Sequence, residues 1–96
     1  MDKVQKLISE NKQIIKLIDL TETYKTNKTW ENRSLYAVKI SKNVETEQNL
    51  PNRLIISNHH ARELMTPQIA LDAIQRLVNE YKSNTTIQQI INENQI

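Results

Sequence analysis

The sequence predicts an α/β fold: a helix, three strands and two further helices in chain order, with an antiparallel strand pair feeding a central strand. Three observations carry this. Apolar residues recur at helical spacing towards both ends of the chain, alternate with other residues in its middle, and form one short, nearly continuous run at residues 53–57 (RLIIS). The length, 96 residues, suits one small domain or part of a larger one.

Val4, Leu7 and Ile8 share a helical face and predict a short amphipathic helix over residues 3–11. Residues 14–24 (IIKLIDLTETY) are rich in β-branched side chains and alternate Ile15, Leu17 and Asp19 against Lys16, Ile18 and Leu20, which predicts a first strand. A polar, turn-like stretch follows over residues 25–33. Residues 34–41 (SLYAVKIS) predict the second strand, with Leu35, Ala37 and Lys39 on one face and Tyr36, Val38 and Ile40 on the other. After a polar loop ending near Pro51, residues 53–57 read as a third strand, apolar enough to be buried on both faces. Thr66 followed by Pro67 marks a helix start, with Thr66 as the capping residue. Ala70, Ile74, Leu77, Val78 and Tyr81 then form an apolar stripe, predicting a helix over residues 67–82. Asn84 is a stop. Thr86 with Gln89 fits a capping box, and Ile87, Ile90 and Ile91 predict a last short helix. Trp30, Tyr24 and Tyr36 read as a small packing cluster.

Composition narrows the function classes. The net charge is +2 with both signs interspersed, which gives no ground for a nucleic-acid or membrane partner. The absence of cysteine excludes disulfides and thiolate metal sites. The first residues, MDKVQKLISENKQ, lack the continuous apolar run of a signal peptide or membrane span, and the compartment stays open. There is no glycine at all. Positive-φ turns must then fall to residues such as asparagine, which tolerates the left-handed region; alternatively, the chain stops before glycine-rich active-site loops. Three Asn-x-Ser/Thr matches, at Asn27, Asn32 and Asn84, are chance expectations in so asparagine-rich a chain.

Chemistry concentrates in one stretch. Both histidines of the chain, His59 and His60, stand just after the apolar run, and Arg62 and Glu63 follow at once. His60 and Glu63 are three residues apart, so an imidazole and a carboxylate can converge on one zinc ion from a turn at a strand end. Spacing alone favours the plainer explanation, a solvated loop histidine and a glutamate placed well for a helix dipole. His59 reads as a spacer.

The surrounding residues add a resemblance. His59-His60-Ala61-Arg62-Glu63-Leu64-Met65-Thr66-Pro67 resembles the H-A-R-E-W-x-[ST]-P signature of the zinc carboxypeptidases related to carboxypeptidases A and B. Trp30 to Ser41 (WENRSLYAVKIS) is similar to the family's x-E-G-R-x-[IL]-x-A-[LV]-K-[IL]-S strand, with Asn32 at the usual glycine. Residues 54–58 stand where the strand leading to the metal loop belongs. Leu64 replaces a common aromatic residue, and Ser57 and Asn58 replace common glycines.

The resemblance implies that residues 1–96 form the N-terminal segment of a mixed-sheet catalytic domain, and an incomplete one. It implies that His60 and Glu63 are zinc ligands and that Arg62 contacts the substrate, the C-terminus of a peptide or protein. The third ligand, the general base and the groups that grip the substrate's C-terminal carboxylate are expected downstream, so no catalytic residue is assigned within the chain. Two other readings stay open: a non-enzymatic α/β binding module, and a related zinc hydrolase such as an amino-acid deacylase.

Overall fold

The computed structural model describes residues 2–57 and 65–96. Over these residues the fold is mixed α/β, with four helices and a two-stranded antiparallel sheet. The helices are α1 (Asp2–Glu10), α2 (Leu20–Tyr24), α3 (Thr66–Asn79) and α4 (Thr85–Glu93). The strands are β1 (Ile15–Asp19) and β2 (Tyr36–Ile40).

The strand register follows from the alternation. Ile15 lies opposite Ile40, Leu17 opposite Val38 and Asp19 opposite Tyr36, so one sheet face is apolar at its inner end. Ile15 and Ile40 on that face join Leu7 of α1, Ile14, Val78 of α3 and Ile91 of α4 in the core. Around this cluster pack Ile8, Val38, Ile74, Leu77, Tyr81 and Ile87, so the predicted stripes of α1, α3 and α4 do face inward.

The sheet has an irregular continuation. Ile40 and Ile96 exchange both backbone hydrogen bonds, at 2.7 and 2.9 Å. Gln95 bridges in parallel to Asn52, receiving the Arg53 N–H and donating its own to Pro51, each at 2.8 Å. Residues 95–96 therefore wedge between β2 and residues 51–53. The buried Gln95 side chain completes the seam, donating to the carbonyls of Gln48 and Leu50 and to Asn52 Oδ1.

Four expectations need correction. The predicted first strand, residues 14–24, ends at Asp19, and Leu20–Tyr24 is the helix α2. Asp19 causes the switch: its carboxylate accepts the Glu22 N–H at 3.0 Å, a local cap that outcompetes the strand preference of the following threonines. Thr21 then serves the sheet edge, its buried hydroxyl accepting the Leu35 N–H at 2.8 Å. Secondly, residues 53–57 are not a buried strand. Leu54 is 86% exposed, and Ile55 and Ile56 are 64% exposed each. A strand buried on both faces needs a continuous partner and a layer on either side, and the single bridge at Asn52 supplies neither.

Thirdly, the caps fall elsewhere. Thr66 is the first residue of α3, Met65 holds the cap position, and Pro67 sits in the first turn. The stop at Asn84 is instead the N-cap of α4, its side chain accepting from Thr86 and Ile87 at 3.0 and 3.3 Å. Finally, Trp30, Tyr24 and Tyr36 form no packing cluster, because all three are exposed. Trp30 stands at the tip of a turn closed by Thr29 and Arg33, and nothing there draws its ring inward.

Asparagine does stand in for glycine. Positive φ occurs at Lys25 (53°), Asn32 (61°) and Asn43 (47°). Asn32 is the position where the family strand pattern carries glycine.

Candidate functional site

The residues singled out from the sequence, His60, Arg62 and Glu63, lie outside the described residues, as does His59. What the structure does show is how the two flanks of that segment are held. On the approach, residues 51–53 are pinned to the sheet through Gln95, and the Arg53 Nε donates to Asn94 Oδ1 at 3.2 Å. Leu54, Ile55 and Ile56 then leave the seam with their side chains in solvent. On the far side, Thr66 and Pro67 begin α3, whose N-terminus carries the partial positive charge of its leading N–H groups.

α3 is anchored by burial rather than by charge. Val78 is buried in the core, and Ile74 and Leu77 pack beside it. Its sole basic last-turn residue, Arg76, pairs with Asp72 on the exposed surface at 3.4 Å, a contact of small energetic weight. A further link fixes α4 against the turn after α3: the Tyr81 hydroxyl donates to Asn92 Oδ1 at 2.6 Å.

Between the approach segment and the helices runs an open groove of about 580 Å³, lined by Leu54, Ile55, Leu77, Ile90 and Ile96 together with Asn52 and Arg53. Its walls are mainly apolar and offer no acid–base pair. A second hollow, about 330 Å³, has Lys16, Lys39 and Arg53 along it with Glu47. The cations there are partly balanced by acids, since Lys16 also pairs with Glu45 at 3.8 Å. Among the described residues no group of three or more His, Cys, Asp and Glu side chains could hold a metal ion. Among them, too, no helix is long and apolar enough to cross a membrane.

The donor types in residues 59–63 do suit zinc. A neutral imidazole and a carboxylate are borderline and hard donors of the kind that recur in hydrolytic zinc sites, which use three protein ligands and leave a position for water. His60 and Glu63 are residues of these two donor types. The described part of the chain contains no histidine, so a His–Glu–His set cannot be completed from it.

Comparison with known proteins bears on the same stretch. The family description "Zinc carboxypeptidase" matches residues 10–96, which include both strands, α3, α4 and the histidine segment. A protein named zinc carboxypeptidase from Saccharothrix mutabilis subsp. capreolus is 30% identical over 78 residues. That similarity covers 81% of this chain and 18% of the relative's length. A match over nine-tenths of the sequence, running through the strand pair, the His-Ala-Arg-Glu segment and the helix behind it, makes this chain a member of the zinc carboxypeptidase family.

Proposed function

We propose that this chain is the N-terminal segment of a metallocarboxypeptidase catalytic domain, acting on the C-terminal peptide bond of peptides or proteins. The observation that carries the reading is His60-x-x-Glu63 inside a family match that spans residues 10–96. The 18% coverage of the Saccharothrix relative is consistent with one segment of a longer domain.

His60 and Glu63 would hold the zinc ion, one as an imidazole donor and the other as a carboxylate donor. Bound there, zinc supplies Lewis-acid polarisation of the scissile carbonyl and a water of lowered pKa. Arg62, between the two ligands in sequence, offers a planar guanidinium to the substrate near the scissile bond, where its fork of N–H donors matches carbonyl and carboxylate oxygens. Residues 51–53, tied to Gln95, precede this segment in the chain, and α3 follows it. The third ligand and the general base belong to chain beyond these residues.

Two donors make a weak site, so the 96-residue chain alone binds zinc loosely and cleaves no peptide. Calorimetric titration with zinc checks this: tight binding that vanishes in His60→Ala would show a complete site and overturn the two-ligand assignment. The activity itself is tested on a longer product of the same reading frame. Release of the C-terminal residue from a peptide, abolished by His60→Ala and by Glu63→Gln, is expected. Cleavage of N-acyl amino acids with peptides left intact would assign the chain to a deacylase instead.

A further inference from the structure

We draw no further inference here: the strongest candidate, the open apolar groove between residues 54–55 and helices α3 and α4, carries nothing because nothing in the structure shows what covers it.

Discussion

Lys25, Asn32 and Asn43 do the work that glycine does in most chains, and they do it unequally well. All three occupy the left-handed region, where a Cβ crowds the following carbonyl. Asparagine tolerates this through local hydrogen bonding; lysine has no such relief. Lys25 closes α2, its N–H reaching the carbonyls of Glu22 and Thr21. Lys25→Gly should therefore raise stability by about 0.5–1 kcal/mol, whereas Lys25→Val should lower it by at least as much. The midpoint of urea unfolding, followed by circular dichroism, distinguishes the two. At Ile91, fully buried where α4 meets the sheet, the risk is a cavity. Ile91→Ala should cost about 2–5 kcal/mol, a large share of the stability of so small a chain, and a lowered urea midpoint would register it.

α4 depends on two polar contacts as well as its apolar stripe. Asn84 satisfies two of its leading N–H groups, and the Tyr81 hydroxyl ties Asn92 to the preceding turn. Asn84→Ala should destabilise by about 1 kcal/mol, and Asn84→Asp, which keeps the acceptor, should not; thermal melts of the pair separate capping from simple side-chain loss. Tyr81→Phe should also cost about 1 kcal/mol, since Asn92 Oδ1 loses a donor in a partly buried position. The capping role of Asn84 accounts for an asparagine at this Asn-x-Thr match without any glycan.

At the scale of the molecule, the exposed row Leu54, Ile55 and Ile56 is the least expected feature for a chain with net charge +2. Short apolar, β-branched segments with few nearby charges associate readily. Leu54→Lys together with Ile56→Lys should suppress association at high concentration while leaving the melting temperature nearly unchanged, because neither side chain contributes to the core. Light scattering and a thermal melt on the same sample check both halves of that statement. A large fall in melting temperature would mean that the row is buried in solution.

Much of the architecture was readable from local patterns. The 3.6-residue stripes through Leu7, Val78 and Ile91 and the alternation through Ile40 located three helices and β2, because burying one face of an element imposes its own period on the sequence. The stand-in of asparagine for glycine was readable too. The Trp30 to Ser41 and His59 to Pro67 stretches identified the family, whereas His60 and Glu63 stand out by residue type and spacing alone. Other features depended on competition between groups distant in sequence or between rival local bonds. Asp19 turned a strand-like run into α2 by capping it, and Asn84 took the cap that Thr86 was expected to hold. The apolar run at residues 53–57 looked like a core strand, yet its burial depended on partners that sequence periodicity does not specify. The wedge of Gln95 and Ile96 between β2 and Asn52 shows why: pairing across more than forty residues is decided by which backbone groups the folded chain brings together, and only the tertiary structure states that.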